Sequence, residues 1–394
     1  MKIKIFILTS ILIVLGKAYA QTVPRPDHVV VLMLENYGYS NIIGNSNAPH
    51  INALINDPNA ALFTQSYALY HPSQPNYVML YSGNNQGITS DNIATNTPLN
   101  TCNLGASLIS NGYTFKGYSE DLPAVGDLST TSGNYVRRHC PWTNWLATSG
   151  TNTLNSSVHQ PYTSFPTNTN YSSLPTVSFV IPSLIDDMHN PTFPTPNYAA
   201  TAISNSDTWV YNNLTDYINW AKANNSLLIL TFDEDDGYDV LGVSTSTNQI
   251  TTIFIGQMIQ GGSYSTHINH YNVLRTIEDM YGLSYCDSSA NYNPIANCWI
   301  PGTTGIKNLE NKEDFNIFPN PATESISLDF YSNSKQIIKI EITNVLSQTV
   351  INTNKDVEVG NNRIQLSTEK FTPGSYFVNI IDSQKSMTKK IVVK

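Results

Sequence analysis

Charge is scarce in this sequence. Asp, Glu, Lys and Arg make up only 12% of its 394 residues, against roughly 25% in an ordinary soluble chain. Basic charge is scarcer still before residue 306. Residues 21–305 hold two lysines (Lys116, Lys222) and four arginines (Arg25, Arg137, Arg138, Arg275) against nineteen Asp plus Glu, a net of −13. Such a surface is wrong for nucleic acid, whose binding requires clustered Lys and Arg to displace counterions; it suits metal cations. Long apolar runs are also missing. The longest, residues 5–15, falls short of the ~18 residues that a membrane helix needs, so no transmembrane segment is expected. Cysteine is limited to Cys102, Cys140, Cys286 and Cys298, with no CxxC spacing, which argues against a thiolate metal site. Wholesale disorder is excluded by 40% hydrophobic and 10% aromatic residues.

What is present divides the chain. Lys2 and Lys4, the apolar run and Ala18-Tyr19-Ala20 have the layout of a cleaved secretory signal peptide over 1–20. In an oxidising compartment four cysteines favour disulfides; three connectivities are possible, and proximity favours Cys102–Cys140 and Cys286–Cys298. Residues 306–394 carry eleven Lys plus Arg against ten acids, a net of +1. This change in charge marks a second domain. The expected division is 1–20 signal, 21–301 main domain, 302–314 linker and 315–394 C-terminal domain.

Continuous apolar runs at 28–34, 176–181, 226–232 and 251–255 predict strands buried on both faces. Trp209, Val210, Leu214, Tyr217, Ile218 and Ala221 recur at helical spacing, as do Val273, Leu274, Ile277 and Met280, with Gly282 as a stop. The fold class is α/β, a doubly wound and mostly parallel sheet. The Asn-, Ser- and Thr-rich stretch 84–172 reads as long loops or an insertion capping the site. Short alternating runs after Phe315 predict a small β-sandwich.

In open α/β sheets, function gathers at the carboxyl ends of the strands. Glu35 and Asn36 follow the first run, Asp186, Asp187 and His189 the second, and Asp233, Glu234, Asp235 and Asp236 the third. His267 and His270 follow the fourth after a loop. Carboxylates packed together repel and raise one another's pKa, and a divalent cation relieves that repulsion. The oxygen and imidazole donor set suits Zn, Mn, Mg or Ca, leaning towards Zn or Mn. Ser73, in His71-Pro72-Ser73-Gln74-Pro75-Asn76-Tyr77, is read as an N-cap whose hydroxyl meets the free N–H groups of a helix start. A metal would activate it as a nucleophile.

These segments resemble the phosphoesterase family, which contains bacterial phospholipases C and bacterial and fungal acid phosphatases within the alkaline phosphatase superfamily. The residues that carry the resemblance are Leu34-Glu35-Asn36, the His71–Tyr77 motif ending in Tyr81-Ser82-Gly83, Asp187-Met188-His189, Phe232-Asp233-Glu234-Asp235-Asp236-Gly237, and His270 through Glu278. Tyr135-Val136-Arg137-Arg138-His139-Cys140-Pro141 is similar to the family's basic-His-Asn-Pro element, with Cys140 in place of Asn. The resemblance implies an alkaline phosphatase-like fold over 21–301 and metal-dependent cleavage of phosphate esters. It implies Ser73 as nucleophile, with His189 and His270 also catalytic. Glu35, Asn36, Ser73, Asp233, Glu234, Asp187, His189 and His270 would hold metal, and Asp186 stands as an alternative to Asp187. In one-metal members Asp187, His189 and His270 would contact phosphate instead. Asn76, Arg138 and His139 are expected on the substrate phosphate.

The C-terminal segment resembles the sorting domain of type IX secretion. Phe315-Asn316-Ile317-Phe318-Pro319-Asn320-Pro321-Ala322, Gly374-Ser375-Tyr376-Phe377-Val378 and the closing Lys389-Lys390-Ile391-Val392-Val393-Lys394 carry that resemblance. It implies the type IX machinery as a partner and outer-membrane export to the medium or cell surface. The expected function is a secreted phosphomonoesterase acting through a phosphoserine. The alternatives are a phospholipase C or other phosphodiesterase, and a non-enzymatic exported metal-binding surface protein.

Overall fold

The computed structural model describes residues 23–167, 170–189, 198–235, 237, 247–301, 315–332, 334–344, 348–381 and 386–394. The signal (1–20), the linker (302–314) and Asp236 lie outside the described residues. Chain contacts separate two units, Met1–Gly305 and Ile306–Lys394.

The first unit is built on eight strands: β1 (His28–Leu34), β2 (Ala60–Phe63), β3 (Phe115–Ser119), β4 (His159–Pro161), β5 (Val177–Ile181), β6 (Ser226–Phe232), β7 (Thr252–Gly256) and β8 (Gly262–Tyr264). Their order across the sheet is β8-β2-β7-β6-β1-β5-β3-β4. β1 lies at the centre, parallel to both β5 and β6. Its alternating side chains feed two cores. Val29, Val31 and Met33 pack on one face with the helix α1 (Ser73–Ser82) and Trp142, while Val30, Leu32 and Leu34 pack on the other with the 26-residue helix α3 (Tyr198–Ala223). Burial on both faces is why these strands read as unbroken apolar runs. The helix α2 (Leu104–Ser110) and the amphipathic helix α4 (His270–Tyr281), ended by Gly282 at φ 63°, complete the doubly wound arrangement on the α1 face.

Two expectations are corrected here. The fourth apolar run, β7, is antiparallel to both its neighbours, so its carboxyl end points to the far rim. An apolar run carries no information about direction. The chain returns through edge strand β8, parallel to β2, and the following turn brings His270 to the carboxyl rim. The stretch 84–172 is also not only loops. It contributes α2 and two sheet strands, β3 and β4. β3 escapes notice because Gly117 stands at its centre. The ring of Trp142 packs so close that a Cβ on Gly117 would lie 2.1 Å from it.

The C-terminal unit has two antiparallel sheets. One pairs β9 (Asn316–Phe318), β10 (Ser325–Ser332) and β13 (Gly360–Ser367). The other orders β12 (Thr349–Val357), β11 (Gln336–Asn344), β14 (Gly374–Ile381) and β15 (Ser386–Val393). Ile338, Ile340 and Ile342 alternate into a core shared with Ile326 and Leu328 of the opposite sheet, a β-sandwich as expected.

Candidate active site

Three strand ends converge. The Glu35 N–H donates to the Asp187 carbonyl at 2.8 Å, and the Asp233 N–H donates to the Leu34 carbonyl at 3.0 Å, so β1, β5 and β6 release their acids side by side. Asn36 turns into the left-handed region at φ 52° and donates its N–H to Asp233 Oδ1 at 3.0 Å. Met188, between Asp187 and His189, is also left-handed at φ 83°. Non-glycine residues held there mark sites where surrounding structure imposes a strained backbone.

Ser73 opens α1, but as its first helical residue; the cap position is Pro72 and makes no side-chain cap bond. The expected capping role is corrected accordingly, since the Ser73 hydroxyl is engaged elsewhere. Its Oγ lies 3.0 Å from Glu234 Oε1 and 3.2 Å from Glu35 Oε2. Tyr77, one turn further along α1, donates its hydroxyl to Glu35 Oε1. His139 is wholly buried, stacked flat on Tyr77, with ring nitrogens 3.4 Å from Glu35 Oε1 and from Asp187 Oδ2. His189 sits at the rim. Its backbone N–H donates to Asp187 Oδ1, and its Nδ1 lies 2.5 Å from Asn36 Nδ2 and 3.5 Å from Glu35 Oε2. His270 places Nε2 2.9 Å from the Phe232 carbonyl, directly before Asp233.

Glu35, Asp187, Asp233 and Glu234 are all buried, and the only basic side chains within 4 Å of them among the described residues are histidines. Burial pushes Asp187 and Asp233 well above the usual carboxylate range, and the neighbouring Glu35 charge pushes them further. Burial likewise raises Glu234. Burial works the same way on Glu35, but His139, His189 and the Tyr77 hydroxyl outweigh it and hold its carboxyl at about 2. Burial drives His139 down to about 3, against the opposing pull of Glu35, and His270 to about 4.

Several buried atoms here have no hydrogen-bond partner: both ring nitrogens of His139, Asp187 Oδ2, Asp233 Oδ2 and His270 Nδ1. Buried polar atoms are rarely left unpaired without a reason. Ligand atoms of Glu35, His139 and Asp187 all lie within 4.8 Å of one another. His270, with Nε2 against a carbonyl and Nδ1 left over, has the arrangement common to metal-ligating histidines. The donor set and its unpaired atoms therefore fit a divalent cation.

Sequence reading and geometry part in places. Asp187, not Asp186, enters the cluster; Asp186 is half-buried outside it, 3.4 Å from Ser183 Oγ, and burial with nearby Glu120 raises it to about 6. His139, expected on phosphate, lies instead between two acids. Arg138 keeps a buried Nε without a partner. Asn76 does not reach the cluster. Its amide accepts from the Leu69 and Tyr70 N–H groups and donates to the Tyr70 and Pro72 carbonyls, bracing the turn before α1. His267 stacks on Tyr67. Two participants were missed, Tyr77 and His71. Tyr77 lies four residues after Ser73 on the same helical face, and this spacing was the available signal. Tyr77→Phe should fold but lose about 1–3 kcal/mol of stability, because a buried carboxylate loses its donor. A lower urea midpoint at unchanged slope is the expected result.

A mostly parallel α/β sheet that carries a buried serine hydroxyl against clustered acids and imidazoles at its carboxyl rim has the groups of a hydrolase that works through a nucleophile. Residues 53–284 match the phosphoesterase family, and residues 316–394 match the secretion system C-terminal sorting domain. The phosphatidylinositol-3-phosphatase of Mycobacterium tuberculosis is 42% identical over 280 residues, covering 71% of this chain and 85% of its own. An acid phosphatase of Aspergillus fumigatus is 26% identical over 262 residues, 64% of this chain and 54% of its own, so the chain spans about half of that relative. A solved alkaline phosphatase superfamily protein from Vibrio parahaemolyticus is similar with a TM-score of 0.48 at 10% identity, over 96% of this chain and 87% of its own. The chain belongs to the phosphoesterase family and is an enzyme that hydrolyses phosphoric ester bonds.

Proposed function

We propose that the protein is an exported, metal-dependent phosphomonoesterase that works through a phosphoserine on Ser73. The observation that carries the reading is the Ser73 hydroxyl, buried and within 3.2 Å of two carboxylates, Glu35 and Glu234. Glu35, Asn36, His139, Asp187, His189, Asp233, Glu234 and His270 would hold one or two divalent cations, Zn or Mn suiting this mixed set best. When bound, the cation supplies Lewis-acid stabilisation of the phosphoryl oxygens and lowers the serine pKa. Ser73 Oγ attacks phosphorus and passes its proton to a carboxylate that it already contacts. The P–O bond to the alcohol breaks, and water then cleaves the phosphoserine to release phosphate. Arg138, with its unpaired buried Nε, would hold the phosphate oxygens. The chain's task is positioning and charge compensation, as phosphoryl transfer requires.

A monoester is favoured over a diester because the relative at 42% identity is named a phosphatidylinositol-3-phosphatase. The sorting domain supports export with the type IX machinery as partner, and the layout of residues 1–20 supports a signal peptide removed on the way. Exhaustive chelation of the full-length protein should abolish hydrolysis of a chromogenic monoester, and Zn2+ or Mn2+ should restore it. Full turnover by protein shown to be free of metal would overturn the metal assignment. Faster cleavage of a matched diester would favour the phosphodiesterase.

A further inference from the structure

His71 takes no part in the assignments above, yet among the described residues it is the side chain that pairs with Glu234 from outside the buried cluster. Its Nδ1 lies 2.6 Å from Glu234 Oε2, and its Nε2 lies 3.4 Å from Asp235 Oδ1. The other Glu234 oxygen, Oε1, faces Ser73 Oγ at 3.0 Å. One carboxylate thus spans imidazole and nucleophile, each on its own oxygen. Among the described residues Oε2 makes no hydrogen bond, and the ion-pair contact with the imidazole is what faces it. The imidazole is half-exposed while Glu234 is buried, so the ring meets the carboxylate at the edge of the buried cluster. It also stands on a braced support. The Asn76 amide ties down Leu69, Tyr70 and Pro72, the backbone on either side of His71.

We propose that His71 is a positioning residue that fixes the Glu234 carboxylate, so that Oε1 meets the Ser73 hydroxyl. Without the imidazole against Oε2 the carboxylate can rotate about its terminal bond, and its alignment with Ser73 and with a cation is lost. Partners of this kind cost 10–100-fold when removed from metal sites. The inference rests on the reading of Ser73 as nucleophile.

The test compares His71→Ala and His71→Asn with wild type in the full-length metal-loaded enzyme, with Ser73→Ala alongside. The Asn amide nitrogen sits where the imidazole Nδ1 sits, so it can keep a polar N–H group against Oε2 alone. His71→Ala should lower kcat about 10–100-fold with KM unchanged, and should weaken the binding of Mn2+ alone, measured by calorimetry. His71→Asn should recover most of both. Wild-type kcat in the alanine variant, or equal impairment of both variants, would overturn the role of His71 while leaving Ser73 as nucleophile. Retained activity in Ser73→Ala would overturn both assignments together.

Discussion

Ser73→Ala will hydrolyse phosphomonoesters about a thousandfold more slowly than wild type, or worse, with its fold intact. A thousandfold corresponds to about 4 kcal/mol of lost transition-state stabilisation. Removing a covalent nucleophile elsewhere costs this much or more, because the groups around it act as a unit. The substitution removes one oxygen from a buried position between Glu35 and Glu234 and leaves both carboxylates in place. Because buried carboxylates lose a donor, as in Tyr77→Phe, the variant should stay folded with a stability lower by about 1–3 kcal/mol. Wild-type protein quenched in acid during turnover should carry labelled phosphate on residue 73, and the variant should carry none. Retention of more than about a tenth of wild-type kcat in Ser73→Ala would overturn Ser73 as the nucleophile.

Much of this site could be read from the sequence because strand ends announce it. β1, β5 and β6 are apolar on both faces, so the first polar residues after each must sit at the rim. Glu35, Asp187, Asp233 and Glu234 are found there, all buried. Direction and partnership were harder. The run that became β7 looks the same parallel or antiparallel, and the reversal emerges only from its pairing with β2 and β6. β3 was hidden by Gly117, whose missing side chain makes room for Trp142. The contact of His71 with Glu234 joins residues far apart in sequence, and no local pattern predicts it. His139 shows the limit of assignment by motif. Its position in the basic element suggested phosphate, whereas the structure encloses it between Glu35 and Asp187.

Proximity in sequence and proximity in space part at the cysteines too, and these lead to the largest expected effect on stability. Proximity in sequence favoured Cys102–Cys140 and Cys286–Cys298. The structure joins Cys102 to Cys286 across 184 residues and leaves Cys140 and Cys298 as buried thiols. Burial raises the Cys140 thiol to about 12 and lifts Cys298 also, so neither is a ready partner for exchange. Closing a loop of this length limits the unfolded chain severely; the chain-entropy model gives about 5 kcal/mol. The bond also lies at a junction. The Ser288 N–H donates to the Gly83 carbonyl at the end of α1, and the Cys286 N–H donates to Glu278 on α4 at 2.7 Å. Gly83 sits so close that a Cβ would lie 1.8 Å from the Cys286 carbonyl oxygen. The bond therefore secures the far ends of the two helices whose first residues are Ser73 and His270. Cys102→Ser should lose about 2–5 kcal/mol in urea unfolding, and reducing agent should cost wild type the same and the variant nothing. At temperatures where the variant stays folded its kcat should match wild type, because the disulfide lies at the opposite end of α1 from Ser73. Equal midpoints for oxidised wild type and Cys102→Ser would show that the packing of residues 286–289 against Gly83 and Glu278 holds this junction without the bond.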